Sequence, residues 1–166
     1  MAALALSPLE PRHLPQALAL QAQVYPAFLV EPRQAFASRL HVAAPYCLAA
    51  ERDQLLVAYL LAHGWPSEAP PDVGSVLDPD MRGDALFLHD LAVSPAARGT
   101  GAGRALVEHA LARAAADGLR RAELIAVEGA ADFWSRMGFT ADPPAPALAA
   151  KVAAYGPRAR WMTRML

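Results

Sequence analysis

Three glycines alternate at Gly99, Gly101 and Gly103, flanked by Arg98 and Arg104, and a helical pattern follows at once. Glycine lets a backbone turn sharply and lets a ligand come close. The free N–H groups at a helix N-terminus hold anions, phosphate above all. The run Arg98-Gly99-Thr100-Gly101-Ala102-Gly103-Arg104 therefore reads as a phosphate or pyrophosphate site. Just ahead of it stands Phe87-Leu88-His89-Asp90-Leu91-Ala92-Val93. This apolar run contains one imidazole and one carboxyl. Period-2 alternation predicts Phe87 and His89 on one strand face and Leu88 and Asp90 on the other.

These groups need elements to position them. Ala85 to Val93 reads as a buried strand. From Gly101 the apolar residues Ala102, Leu106, Ala110 and Ala114 make one helical stripe, which Asp117-Gly118 stops. Ala122 to Val127 reads as a strand, Ala130 to Met137 as a short helix, and Trp161 to Leu166 as a last strand. Ala147 to Ala154 reads as a helical turn or two after a proline-rich loop. Upstream, Leu4 to Leu6 is a short strand. Pro11 to Val24 and Arg33 to Ala43 are helices, the second ended by Pro45. Tyr46 to Glu51 and Leu55 to His63 are strands around a tight turn. Gly64 to Gly83 is a long loop rich in Pro, Gly and Ser. Strands and helices in this order predict an α/β fold. Its mixed sheet has helices on its faces, with a parallel strand–helix–strand unit from Ala85 to Val127.

Composition narrows the class. The chain has 166 residues, so a single domain over 1–166 is expected. Hydrophobic residues at 55% and charged residues at 19% exclude a disordered chain. Fifteen Lys and Arg against sixteen Asp and Glu give no basic field for a nucleic acid. Cys47 is the only cysteine, so no internal disulfide and no cysteine-rich zinc site forms. It is expected as a buried packing residue. His13, His41, His63 and His109 show no metal-ligand spacing and are expected at the surface or in loops. No apolar run reaches the length of a membrane span. The apolar Met1 to Leu6 lacks the basic residues of a signal peptide. The expectation is a soluble cytoplasmic domain. A homodimer is compatible with it.

The glycine loop alone leaves the phosphate ligand open. The GxxxxGK[ST] pattern of a P-loop is absent. The dinucleotide fingerprint fails at Arg104, which stands where its third glycine belongs. The spacing fits a third pattern. Leu91-Ala92-Val93 followed by Arg98-x-x-Gly101-x-Gly103 and a helix resembles the GNAT superfamily of acyl-CoA-dependent N-acetyltransferases. Phe133-Trp134-Ser135-Arg136-Met137-Gly138-Phe139 resembles that family's aromatic pair ahead of Gly-Phe. Leu88-His89-Asp90-Leu91-Ala92-Val93 is similar to the corresponding strand of its arylalkylamine branch.

The resemblance implies a GNAT-type mixed sheet of six or seven strands with helices on both faces. It implies acetyl-CoA as cofactor, its pyrophosphate on the amides of Arg98 to Arg104. Its pantetheine arm would pair with Leu91, Ala92 and Val93, and its thioester end would lie beside Phe133 and Trp134. It implies direct attack of a primary amine on the acetyl carbonyl. Such an amine has a pKa of about 10.4, so its neutral form costs about 4.6 kcal/mol at pH 7. A base must take that proton, and the resemblance makes His89 the expected one, with Asp90 as its rival. A strand N–H can serve the developing oxyanion. Trp134 stands where many relatives carry a proton-donating tyrosine, and Val127 where many carry asparagine. An indole N–H cannot supply a proton at neutral pH. The thiolate, with a pKa near ~8.5, leaves without one. Tyr25, Phe28, Glu31, Trp65 and Phe87 are expected to wall the acceptor pocket. The acceptor is expected to be a small amine, neither a nucleic acid nor a membrane. Two rivals remain at this point: a catalytically silent acyl-CoA-binding module and a dinucleotide-binding protein.

Overall fold

The computed structural model describes residues 2–42 and 46–166. Seven strands form one sheet: β1 (Ala5–Pro8), β2 (Leu48–Arg52), β3 (Leu55–Trp65), β4 (Ala85–Val93), β5 (Arg121–Ala126), β6 (Thr140–Ala141) and β7 (Arg160–Met165). Their order is β1-β2-β3-β4-β5-β7-β6. The β4–β5 pair is parallel and every other pair is antiparallel. The helices are α1 (Leu14–Val24), α2 (Arg33–Ser38), α3 (Ala102–Ala116), α4 (Ala131–Arg136) and α5 (Pro146–Ala153). This is the mixed α/β sheet with helices on both faces that the element order predicts. Among the described residues no helix is long and apolar enough to cross a membrane.

Alternation along the central strands separates the two faces. Leu60, Ala62, Leu86 and Leu88 pack with α3 through Leu106, Val107 and Ala110, and with Trp134 and Met137 of the α4 segment. Tyr59 and Leu61 pack on the other face with α1 and α2 through Ala17, Leu20 and Phe36. Phe87 meets α5 and β7 there, at Leu148, Val152 and Trp161. Burying one such Leu or Val side chain stabilises by about 1.5–3 kcal/mol. The stripe on α3 is small because the helix lies close to the sheet. A Cβ on Gly103 would stand 3.2 Å from Val93 Cγ2.

Several bounds differ from expectation. Strand β3 runs on to Trp65, so the long loop begins at Pro66 instead of Gly64. The second helix ends at Ser38 and tightens into a 3₁₀ turn, Arg39–His41. The expected helix end at Ala43 and the stop at Pro45 lie outside the described residues. Two histidines expected at the surface or in loops are buried. His13 accepts the Glu10 N–H on Nδ1 at 2.9 Å and sets Nε2 2.9 Å from Glu51. His63 lies in β3 with no exposure, stacked edge-on to Trp65. Cys47 is buried as expected, and burial pushes its thiol up to about 12.

The pairing of β4 decides the site. Its register with β5 runs only from Ala85↔Arg121 to Leu88↔Leu124. Beyond Leu88 the two strands part, and His89 to Val93 keep only β3 as a neighbour. On the β3 side, Leu61 pairs with Asp90 and Ala62 with Leu88, which leaves His89 as an extra residue. That is a β-bulge, and it resets the alternation. Leu86 and Leu88 face α3 before it, and Leu91 and Val93 do so after it. His89 and Asp90 therefore both turn to the α1–α2 face. The expected placement of Asp90 opposite His89 does not hold, because period 2 fails wherever a strand carries one residue more than its partner.

Candidate active site

The parted strands open a cavity of about 320 Å³. One wall is β4 from Leu88 to Val93. The facing wall is Ile125, Val127 and Ala130, with Phe133 and Trp134 of α4. Val24, Tyr25, Leu29, Glu31, Val73 and Tyr155 close the other end, and Arg98 and Glu128 stand at its edge. The cavity thus brings together His89, Asp90, Leu91, Ala92, Val93, Arg98, Phe133, Trp134, Tyr25 and Glu31 from the sequence reading. It does not include Phe28, Trp65 or Phe87. Phe28 is 53% exposed, in the turn after α1. Trp65 is buried behind His63 and donates its indole N–H to the Ala69 carbonyl at 2.8 Å. Phe87 is buried in the core. Leu29, Val73 and Ile125 had no local signal, and Glu128 stood out only as an acid at the end of its strand. They reach the cavity from three separate segments: the turn after α1, the long loop and the end of β5.

The glycine loop leads into α3 beside this cavity. Gly99 and Gly101 take φ of +76° and +83°, a left-handed conformation that favours glycine, and a Cβ on either would meet nothing within 4 Å. Thr100 binds back to the Ala97 carbonyl through N–H and hydroxyl. No main-chain carbonyl takes the amides of Gly99, Gly101, Ala102, Gly103 or Arg104. These donors, at the start of a fifteen-residue helix, suit a pyrophosphate. The parted strand offers a second set. The Tyr25 hydroxyl donates to the Leu91 carbonyl at 2.6 Å. N–H and C=O of one strand residue point the same way, so the Leu91 N–H also faces the opening. The open amides and the wedge fit a pyrophosphate with an amide-bearing arm.

The polar groups at the inner end are almost all engaged. Glu31 is 4% exposed. Its Oε1 lies 2.7 Å from His89 Nε2. Its Oε2 takes Arg39 Nη2 at 2.5 Å and the Gly74 N–H at 2.8 Å. Burial alone would push this carboxyl up; His89, Arg39 and the Gly74 amide outweigh it and hold it below its ordinary value. Arg39, with no exposure, also donates to Ser38 and to the Ser75 carbonyl. Asp90 accepts the Tyr59 hydroxyl at 2.6 Å on Oδ2, while its buried Oδ1 has no partner. Burial pushes Asp90 up against the pull of Tyr59 and Tyr25. His63 stands 5.9 Å from His89, ring to ring, and burial drives it well below its usual value, so it stays neutral. The cavity hydroxyls of Tyr25 and Tyr155 are committed to the carbonyls of Leu91 and Pro71. Trp134 packs edge-on to Phe133 and Phe139.

The profile of the acetyltransferase (GNAT) family matches residues 14–139, most of the chain. The chain belongs to the GNAT acetyltransferase family. It is therefore an acetyl-CoA-dependent N-acetyltransferase. No curated protein sequence matches the chain. Solved GNAT structures share its fold. The ribosomal-protein-S18-alanine N-acetyltransferase of Escherichia coli superposes with a TM-score of 0.70 at 18% identity, over 98% of this chain and 94% of that one. Naa50 of Arabidopsis thaliana, in complex with a bisubstrate analogue, gives 0.71 at 15% identity, over 98% and 99%. The loading GNATL domain of CurA from Lyngbya majuscula gives 0.76 at 12%, over 98% of each chain. The dinucleotide-binding rival from the loop motif gives way to the acetyltransferase.

Proposed function

We propose that this GNAT enzyme acetylates a small primary amine with an apolar body, and that His89 takes the amine proton. The observation that carries the reading is the bulge at His89. It turns both His89 and Asp90 into the opened wedge, on the face where Val24, Leu29, Val73 and Tyr155 supply apolar walls. Acetyl-CoA supplies the acetyl thioester. The chain's own part is to bind, orient and move a proton. The amides of Gly99 and of Gly101 to Arg104 hold the pyrophosphate, and the Leu91 and Val93 N–H groups steady the arm. Asp90 and Glu31 bias the inner end towards a cation, so the acceptor enters as its ammonium. His89 then removes the proton that costs about 4.6 kcal/mol to lose unaided at pH 7. No free hydroxyl lines the cavity, which suits departure of the thiolate unprotonated.

A second assignment of the base is favoured by one observation, the unpartnered Oδ1 of Asp90. Thermal-shift titration with acetyl-CoA, with NAD and ATP as controls, comes first. Acetyl-CoA at a hundred times its Kd adds about 2.7 kcal/mol of stability. Thiol release on a panel of arylalkylamines, polyamines and amino-terminal peptides then identifies the acceptor class. His89→Gln is expected to lower kcat about 100-fold while keeping the acetyl-CoA shift. Loss with Asp90→Asn and none with His89→Gln moves the base to Asp90. Turnover only on peptides refutes the small-amine reading.

A further inference from the structure

His89 Nε2 lies 2.7 Å from Glu31 Oε1 and 3.3 Å from Arg39 Nε. One imidazole nitrogen cannot satisfy both. A guanidinium N–H needs a lone pair, whereas a carboxylate oxygen needs a proton. A bare Nε2 at 2.7 Å from a carboxylate would set two lone pairs against each other. Nε2 therefore carries the proton and donates to Glu31, and Arg39 stands beside it as a charge. Nδ1 is buried and has no hydrogen-bond partner, on a ring that lines the cavity. Glu31 is itself fixed from every side. Arg39 and Gly74 hold Oε2, and the Gln21 side chain holds the Glu31 N–H and C=O at 2.9 and 3.0 Å.

We propose that Glu31, backed by Arg39, is a positioning residue that holds the His89 imidazole in its Nε2–H form and leaves Nδ1 as the proton-accepting atom. This rests on the reading of His89 as the base. Three contacts from His89, Arg39 and Gly74 already engage both oxygens of Glu31, and Oε1 is held by His89, so its work is done through that ring. The charged and titratable groups around the ring are Glu31, Arg39, His63 of β3, Asp90 of β4 and the Tyr59 hydroxyl on Asp90. His63 stays neutral, which keeps a second positive charge away from the ring. Arg39 keeps Glu31 ionised and stops it from withdrawing the Nε2 proton outright. A neutral His89 in this tautomer has one lone pair, and it is on Nδ1.

Long-range ¹H–¹⁵N correlation spectra of the full chain, ¹⁵N-labelled at histidine, read the tautomer directly. His89→Gln identifies the signals by their loss. The expected result is a protonated Nε2 at every pH and a bare Nδ1 above the titration midpoint. Glu31→Gln is expected to lower that midpoint by about one unit or more, a tenfold loss of proton affinity, because the carboxylate goes and Arg39 remains. Arg39→Met, which leaves Glu31 against His89 and Gly74, is expected to raise it. A proton on Nδ1 in the neutral parent overturns the proposal, with no variant needed. So does a midpoint unmoved in a folded Glu31→Gln, since a merely structural Glu31 would leave it alone. Neither acceptor nor acetyl-CoA enters the measurement. Full turnover by His89→Gln would remove the base assignment and leave the tautomer result standing.

Discussion

Replacing Glu31 by Gln tests the buried charge network through stability. The variant keeps the shape and an acceptor oxygen but removes the charge. Arg39, with no exposure, then stays buried without a counter-ion. Breaking one side of a buried pair costs about 3–5 kcal/mol. Unfolding entropy is about 2.1 cal/mol/K per residue, so roughly 350 cal/mol/K for this chain, and the melting temperature falls by about 9–14 °C at pH 7.5. The loss depends on pH. Folding lowers the Glu31 carboxyl below the unfolded value of about 4.3. The stabilisation is therefore complete above that value and is lost as pH falls through the lower folded value. Parent and variant must converge there. Removing the pair outright, as Glu31→Gln with Arg39→Met, is expected to recover at least half of the loss, since a buried pair exchanged for neutral groups costs little. The assay is thermal unfolding by circular dichroism from pH 7.5 down to pH 3.5. A fall under about 2 °C at pH 7.5, or a gap that does not begin to narrow below about pH 4.3, refutes the reasoning.

Two other substitutions probe the same cavity. Asp90→Asn keeps an acceptor for Tyr59 and removes a buried charge. Because burial raises the folded Asp90 carboxyl, its favourable contribution is present below the unfolded value of about 3.9 and is lost as pH rises through the folded one. The variant is expected to melt higher than the parent at pH 7.5, with the difference closing as pH falls through the folded value towards about 3.9; a lower melting point at pH 7.5 would show Asp90 to be a net stabiliser there. Gly101→Ala puts a Cβ into open space at φ +83°, so only backbone strain of about 1–2 kcal/mol is added. Calorimetry should read a fall of about 3–6 °C, and an unchanged melting point would mean that the loop is not held left-handed.

The glycine loop with its open amides was legible because its signals are local. The alternation of glycines, the arginine before them and the apolar stripe of α3 lie within one short stretch. A helix N-terminus presents its free amides whatever the rest of the chain does. The Phe133-Trp134 segment needed only the strand before it to reach the cavity. The acceptor side was less legible. Tyr25 and Glu31 were drawn to the pocket by residue type, yet Glu31 spends both oxygens on His89, Arg39 and Gly74. Phe28 and Trp65 carried the same kind of signal and lie outside the cavity. An aromatic in a connector looks alike in sequence whether it lines a cavity, packs behind a strand or meets solvent.

Order and type of the elements, the mixed sheet and the glycine loop with its open amides all follow from patterns a few residues long. Tertiary structure alone decided where His89 and Asp90 point. The bulge is a mismatch between β4 and β3, and one strand cannot announce a count that depends on its partner. Arg39 had no sequence signal at all. It became the centre of the charge network only when the turn after α2 was pressed under the long loop. There, burial makes every unpaired charge expensive and so dictates its partners.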